Sequence, residues 1–421
     1  DICHLCCLPP LLKEPETRDT NKLDSGFYNE LLHLIGLVET RDTSSSKNII
    51  VRVPEKERNH AALIEQTISW VEEKFVAFPN AEHYGANPDE QVFNISLELC
   101  IIWLNRILFL KLLEAQLLQY HEGAQDVEFL NKEKLHTFSE LNTLFFQILA
   151  REPQKRVDSL FSRQFKRIPY LNSSLFEETA LERDTLFISE LMQQELPLYP
   201  HSVLRKYLGR PLGDTLPILD YLLDFLDAYD FSSSPAPNND NNKTVVNAAV
   251  LGLFFEKING HRDGSIFTPS YVTMFVCRET ILRTALQKFN ERYGWSCKTF
   301  EDLYNQIDKI PIAEANDTIN SLHICDPAVG SGHFLVSALN EFIEFKFRLD
   351  ILQDDNGQRI RKRDYTFAIQ NDELLVTDER GIPIEYHVGH AESQRIQEVL
   401  FREKRYIIEH CLFGVDINPI S

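Results

Sequence analysis

The chain has 421 residues, with 43 Lys and Arg against 63 Asp and Glu, so its formal net charge is −20. The length is ample for two to three domains with cores of their own. No apolar run approaches the roughly twenty residues of a membrane helix; the nearest, Leu97–Leu118, carries Glu98, Asn105, Arg106, Lys111 and Glu114. The acidic balance argues against a polyanion held by bulk charge, because that affinity comes from Lys and Arg displacing counterions. Any nucleic-acid contact must then come from local basic patches or from elsewhere in the molecule. Eight cysteines and no signal peptide, with Cys100, Cys277, Cys325 and Cys411 inside apolar segments, are expected to be reduced core thiols of a soluble, cytoplasmic protein.

Residues 1–58 read as an irregular N-terminal segment. The group Cys3, His4, Cys6, Cys7 has the ingredients of a metal site, but no second Cys or His pair follows at a matching interval, so no metal is assigned. The pentapeptide ETRDT occurs twice, at Glu16–Thr20 and Glu39–Thr43, too short a unit to build a repeat architecture. Between the copies, Phe27-Tyr28, Leu31-Leu32 and Leu34-Ile35 have helical spacing, and Gly36 is placed as a C-cap.

Residues 59–231 form a helical domain by the same criterion. Ala61–Phe75, Ser96–His121 and Leu216–Tyr229 carry apolar residues at three- and four-residue intervals. The Trp103, Phe109, Leu112 stripe is read as bundle core, and Glu72-Glu73-Lys74 as surface helix charge, since no Pro-Asp precedes it as a magnesium nuclease would require. Pro169–Phe176 is a turn-like island. Residues 232–243, SSSPAPNNDNNK, hold two prolines, four asparagines and no large apolar residue, so the spacing places a linker and a domain boundary there.

Residues 244–421 make the second domain. Thr268-Pro269 starts a helix, with Thr as N-cap and Pro at its first position. Ile324–Leu335, ICDPAVGSGHFL, reads as a buried strand ending at Cys325-Asp326, a tight turn through Gly330 and Gly332, and a helix entered at Phe334. The glycines admit a ligand without a Cβ in its way, and the helix N-terminus offers N–H groups that lack partners. The third glycine of the dinucleotide fingerprint is missing. Residues 350–392 read as an insert containing a β-hairpin, Tyr365–Ile369 against Leu374–Thr377. Its lead-in, Arg359, Arg361, Lys362 and Arg363, is the densest positive run in the chain and is taken as a solvated face. A helix over Ser393–His410 feeds a second strand, Cys411–Val415, ending in Asp416, an acidic residue placed to accept from ribose hydroxyls.

Asp-Pro-x-x-Gly-Ser-Gly-x-Phe-Leu at Asp326–Leu335 resembles motif I of the S-adenosylmethionine-dependent DNA amino-methyltransferases. Phe267-Thr268-Pro269 resembles their motif X, and Gly-Val-Asp-x-Asn-Pro at Gly414–Pro419 their motif II, in the gamma-class order. Trp103–Leu117, Leu141–Ala150 and Pro169–Phe176 resemble the helical region of single-chain type IIG restriction-modification enzymes. The resemblance implies an α/β architecture: a helical domain, then the first part of a doubly wound, Rossmann-like methyltransferase fold with an inserted hairpin. It implies S-adenosyl-L-methionine as cofactor, held by Phe267, Thr268, Pro269, Asp326, Pro327, Ala328, Gly330, Ser331, Gly332, Phe334, Asp416 and Ile417. It further implies N6-adenine methylation of double-stranded DNA, with magnesium only if a nuclease lies outside this chain. The same polypeptide or a partner would then complete the sheet. Three alternatives stay open: a phage-defence methyltransferase without nuclease, a non-enzymatic assembly subunit, and a nicotinamide oxidoreductase. The family's catalytic tetrapeptide Asn/Asp/Ser-Pro-Pro-Tyr/Phe is absent, the one Pro-Pro being Pro9-Pro10 after Leu8.

The chain by itself should therefore transfer no methyl group to DNA, because nothing in it holds the adenine amino group. Tritiated methyl transfer to mixed-sequence DNA measures this, and activity would show that catalysis uses residues other than those of the family's motif.

Overall fold

A computed structural model describes residues 23–41, 48–74, 81–121, 127–171, 173–207, 213–232, 243–263, 268, 270–330, 332–370, 373–384 and 390–416. Cys3, His4, Cys6, Cys7, Phe267, Pro269, Ser331 and Ile417, with most of the 232–243 linker, lie outside the described residues.

Helix α1 (Ser25–Ile35) opens where the Asp24 carboxylate accepts from the Phe27 amide, and closes at Gly36, whose amide donates to the carbonyls of Leu32 and His33. Gly36 has φ +95°, and a Cβ there would lie 2.9 Å from both Ala62 Cβ and Ile64 Cγ2, so conformation and space both require glycine. The chain then forms an antiparallel hairpin, β1 (Leu37–Arg41) with β2 (Asn48–Arg52). The N-terminal segment is thus not irregular over its described part. The second ETRDT copy supplies the end of β1, a strand whose one buried residue, Leu37, leaves almost no apolar alternation to read.

Helix α2 (Leu63–Lys74) packs on the 33-residue α3 (Pro88–Tyr120), which Asn87 caps with Pro88 at the first position. Beyond α3 the expected run of helices breaks up. Helix α4 (Phe138–Thr143) passes into a π-helical stretch, Leu144–Leu149. Short helices α5 (Leu160–Arg163) and α6 (Ala180–Asp184) follow, then β3 (Glu195–Pro197), α7 (Leu204–Tyr207) and β4 (Thr215–Pro217), with β3 and β4 antiparallel, before α8 (Ile218–Asp227). Pro153, Pro169, Pro197, Pro200, Pro211 and Pro217 punctuate this region, each removing a backbone donor.

One buried guanidinium organises it. Arg106 of α3 donates to the carbonyls of Leu175 (2.6 Å) and Glu177 (2.9 Å) and forms a two-pronged ion pair with Glu182 of α6. Trp103 Nε1 donates to the same carboxylate at 3.1 Å, and the Phe146 ring lies 5.0 Å from the guanidinium carbon. The Pro169–Phe176 island is therefore tied to α3. Of the aromatic stripe on that helix, Trp103 is core, whereas Phe109 is 39% exposed. Lys74 donates to the Thr185 carbonyl, which leaves Glu72-Glu73-Lys74 as a helix surface with a structural lysine.

After the linker the chain returns to the same body. Val246 N donates to Asp230 O at 2.7 Å, and Val250, Leu251, Phe254 and Ile258 of α9 (Ala248–Asp263) join the first hydrophobic cluster. The second cluster begins only at Ile281, so the division between cores falls after α9, not at the polar connector. The second body contains α10 (Ser270–Tyr293), α11 (Phe300–Ile307), α12 (Ile312–Asn320), β5 (Ile324–Asp326) and α13 (His333–Arg348). It continues with β6 (Tyr365–Gln370), β7 (Glu373–Asp378), α14 (Ala391–His410) and β8 (Leu412–Gly414). β5 and β8 run parallel, with Asp326 opposite Gly414, and β6 and β7 form the hairpin of the insert. Phe367 of β6 stacks on Phe347 of α13 at 4.1 Å, and buried Lys346 pairs with Glu403 of α14 at 2.6 Å. Among the described residues the parallel sheet has these two strands.

Arg106→Ala should destabilise the chain by about 3 to 5 kcal/mol, since it strands Glu182 in the core without its counter-charge. Urea denaturation followed by circular dichroism measures the loss; a change below about 1 kcal/mol would mean that water reaches the site.

Candidate functional site

The end of β5 and the start of α13 enclose the sequence-predicted turn. Asp326 Oδ1 accepts from the Ala328 amide at 3.0 Å, bending the chain directly after the strand through Pro327. Backbone pairing with β8 continues past both strands: Val415 N donates to Asp326 O (2.9 Å) and Val329 N to Val415 O (3.0 Å). Gly330 (φ +50°) and Gly332 (φ +78°) then take the left-handed conformation that favours glycine. Gly332 N donates to Val329 O at 2.9 Å and closes the turn.

Gly332 is the N-cap of α13. Among the described residues no side-chain cap is seen at Gly332, and no acidic residue stands in the first turn. The first amides of α13, including that of Phe334, thus keep the partial positive charge that favours an anionic group. A Cβ built at Gly330 or Gly332 would meet nothing within 4 Å among the described residues, which leaves space over the turn. Gly414 is the opposite case. A Cβ there would lie 2.9 Å from Val329 Cγ2 and 3.1 Å from Leu335 Cδ1, so its bareness lets β8 lie close under the turn.

Helix α10 fixes α13 from the side. Thr273 Oγ1 and Ser337 Oγ are 2.9 Å apart, Cys277 Sγ donates to the Phe334 carbonyl at 3.5 Å, and Arg278 holds Glu341 with two bonds of 3.0 Å. Burial pushes the Glu341 carboxyl above the usual range, and the Arg278 guanidinium pulls it back toward ionisation. Thr268 is half-buried two residues before α10, which begins at Ser270; Pro269, the expected first helical position, lies outside the described residues. Asp416 is half-buried two residues beyond β8, at the same end of the parallel pair as Asp326.

The structure thus brings Asp326, Pro327, Ala328, Gly330, Gly332 and Phe334 into one turn and sets Asp416 on the neighbouring strand end. Phe267, Pro269, Ser331 and Ile417 lie outside the described residues. Sequence reasoning missed three supports: Gly414, Val329 and the Arg278–Glu341 pair. The readable signal for the pair was Glu341 alone, a charge on the buried face of α13; Arg278 reaches it from an exposed position on α10. Cys325 corrects an expectation: it is exposed, because it alternates to the strand face that also leaves Phe413 48% and Val415 56% exposed, while Cys100, Cys277 and Cys411 are buried. The basic run of the insert is balanced locally: residues 350–364 hold four cations against four acids, with Arg359 at 3.4 Å from Asp308, Lys362 at 4.0 Å from Asp350 and Arg363 at 3.2 Å from Asp364.

Among the described residues no group of three or more His, Cys, Asp or Glu side chains is arranged to hold a metal ion, and no helix is long and apolar enough to cross a membrane. A family model described as a domain of unknown function, DUF7814, matches residues 20–246. A protein of Methanocaldococcus jannaschii, provisionally named a type II restriction enzyme and methyltransferase, is 24% identical over 279 residues, 60% of this chain and 21% of its own length. The chain thus aligns with about a fifth of that relative. No solved structure matches the chain.

Gly414→Ala should cost about 1 to 3 kcal/mol through overpacking against Val329, a β-branched side chain with little rotamer freedom. Hydrogen exchange should quicken at the amides of Val329, Gly332 and Val336; unchanged protection there would mean that β8 shifts and spares the turn.

Proposed function

For a chain that belongs, by residues 20–246, to the DUF7814 family, whose activity is unassigned, we propose that the second body binds S-adenosyl-L-methionine. On this reading it is part of a site-specific adenine DNA methyltransferase of the single-chain restriction-modification kind. One observation carries the reading. An uncapped helix N-terminus is reached from a strand end through two left-handed glycines, and a second acidic strand end, Asp416, stands beside it. The name of the Methanocaldococcus jannaschii relative supports methyl transfer within restriction-modification.

The residues present fit such a cofactor. The open turn at Gly330 and Gly332 leaves room for a ligand, and the α13 amides suit its carboxylate. Asp416 would accept from the two ribose hydroxyls, which a carboxylate can do with both oxygens. Asp326 shapes the turn through Ala328, and Thr268 at the head of α10 would border the methionine end. When bound, the cofactor supplies an electrophilic methyl group on a sulfonium. The target would be the exocyclic nitrogen of an adenine taken out of the duplex. The residues that hold that base are not in this chain, and magnesium would enter only with a nuclease outside it. The doubly wound sheet is likewise part of the proposal, with β5 and β8 as two of its strands.

Calorimetric titration with S-adenosyl-L-methionine tests the reading. Gly332→Val should abolish binding, because a β-branched residue cannot hold φ +78° and the turn must change. Asp416→Ala should weaken binding about a hundredfold, matching roughly 2 to 3 kcal/mol for a charge-assisted pair of hydrogen bonds. Parent-like affinity in a folded Gly332→Val variant, or preference for NAD, would sink the assignment.

A further inference from the structure

Residues 151–170 form a rigid basic knob on the first body, and we infer that this knob grips the phosphate backbone of duplex DNA. The inference rests on the DNA-modifying reading above and gives its polyanion a place on the chain. Residues 151–167 hold six cations, Arg151, Lys155, Arg156, Arg163, Lys166 and Arg167, against two acids, Glu152 and Asp158. That is a local balance of +4 in a chain of net −20, which leaves −24 for all the rest.

The knob is held from within. Phe165 and Ile168 are buried in the first core, and Phe161 packs against it. The Arg156 guanidinium donates to the carbonyls of Arg151 (3.1 Å), Phe165 (3.3 Å) and Ile168 (3.1 Å), clamping both ends of the segment. Ser159 and Ser162 cap each other across α5. One cation is therefore structural, and the other five are on exposed residues. Lys155 pairs with Glu152 at 3.0 Å and Arg163 with Asp158 at 2.8 Å, but all four side chains are exposed. Such surface pairs are weak, so both cations can turn to phosphate at little cost.

At the tip stand Leu160, 83% exposed and the most exposed large apolar side chain among the described residues, and Val157, 64% exposed. Apolar side chains ringed by cations suit a duplex, whose sugar edges and groove floor accept them between two rows of phosphate. A lipid surface fits less well, because α5 is four residues long and cannot lie along an interface as an amphipathic helix does.

The test uses the full chain and fluorescence anisotropy of a labelled mixed-sequence duplex of about 30 base pairs, with salt varied from about 50 to 200 mM. Replacing Arg151, Lys155, Lys166 and Arg167 together by Gln should weaken binding at least about tenfold. The slope of log affinity against log salt should flatten by about 0.9 for each phosphate that is no longer neutralised. These residues are exposed, so folding should survive, and Leu160→Ser, which leaves the charge unchanged, provides a second variant expected to lose affinity without a change in slope. Arg363→Gln, whose partner is Asp364, should bind as the parent does. Parent-like DNA affinity in the four-residue variant overturns the inference. So does absence of duplex binding by the parent chain, or tighter binding to phosphatidylserine vesicles than to DNA. Calorimetry with S-adenosyl-L-methionine on the same proteins separates the two claims. Cofactor binding with DNA affinity untouched by the variant rejects the knob alone, whereas a parent chain that binds no cofactor rejects the methyltransferase reading.

Discussion

The second body depends on one long-range pairing, that of Ile324–Asp326 with Leu412–Gly414 in parallel. Both strands have three residues, so the ladder alone is weak. It is extended on both sides by backbone bonds outside the strands. Ile324 N donates to Cys411 O at 2.8 Å before them, and Val329 and Val415 continue the ladder past them into the glycine turn. The turn is therefore part of the sheet in hydrogen-bonding terms. Anything that shifts β8 shifts the residues over which a ligand would lie, and the tight approach of Gly414 to Val329 makes that coupling steric as well. The long excursion between the strands is tolerable because loop-closure entropy grows slowly with length and because the excursion carries contacts of its own. Its hairpin stacks on α13 through Phe367 and Phe347, and Arg395 of α14 holds Asp354 at 2.6 Å.

Buried charges then determine which surfaces meet. Arg106 with Glu182, Lys111 with Glu114 and Asp227, and Lys346 with Glu403 each join elements whose apolar faces could slide past one another. Such pairs contribute little net stability against apolar residues of equal size, but a misplaced packing would leave an ion in the core without its partner, at a cost of several kcal/mol. Glu114 shows how fully such a group can be satisfied. Besides Lys111 it accepts from the amides of Phe129 (2.5 Å) and Leu130 (2.6 Å), which anchors the segment that follows α3. The Arg106 and Lys111 groups act as registers for a first body whose middle is too broken by proline to be aligned by helix packing alone.

The sequence made local chemistry legible and left tertiary allegiance hidden. The Gly36 cap, the 365–378 hairpin and the strand–turn–helix at Ile324–Leu335 each carry their signal within a short stretch, and each is present, whereas the long helix read from Ser96 starts earlier, at Pro88. The β1–β2 hairpin was missed because one buried leucine cannot set a period of two. Where helix α9 packs was not legible, because a polar connector announces a break in the chain without saying which core the next helix joins. Its residues Val250 and Phe254 fit the first cluster, and Lys257 seals the contact by reaching Glu39 at 3.1 Å while lying over the Tyr28 ring at 4.0 Å. Cys325 was read as buried because a strand of the motif was taken to be covered on both faces. Its outer face is bare among the described residues, and no one-dimensional pattern distinguishes a covered face from one awaiting cover.

Charge is distributed unevenly between the two bodies. Around the candidate site the fixed charges are acidic at both strand ends, Asp326 and Asp416, and the basic run of the insert is answered by Asp308, Asp350 and Asp364. That surface can select a small ligand through amides and carboxylates, but it has no surplus of cations with which to hold a polyanion. The surplus lies on the other body, at residues 151–167, on a segment clamped by its own arginine and anchored by Phe165 and Ile168. On the proposed reading such a separation has a physical use, since a duplex drawn across the acidic strand ends would meet repulsion where the proposed cofactor would lie. Helices α9 and α10 connect the two regions in sequence, one packed in the first core and the other against α13. They are the elements through which grip on a polymer and closure over a ligand would have to be coordinated.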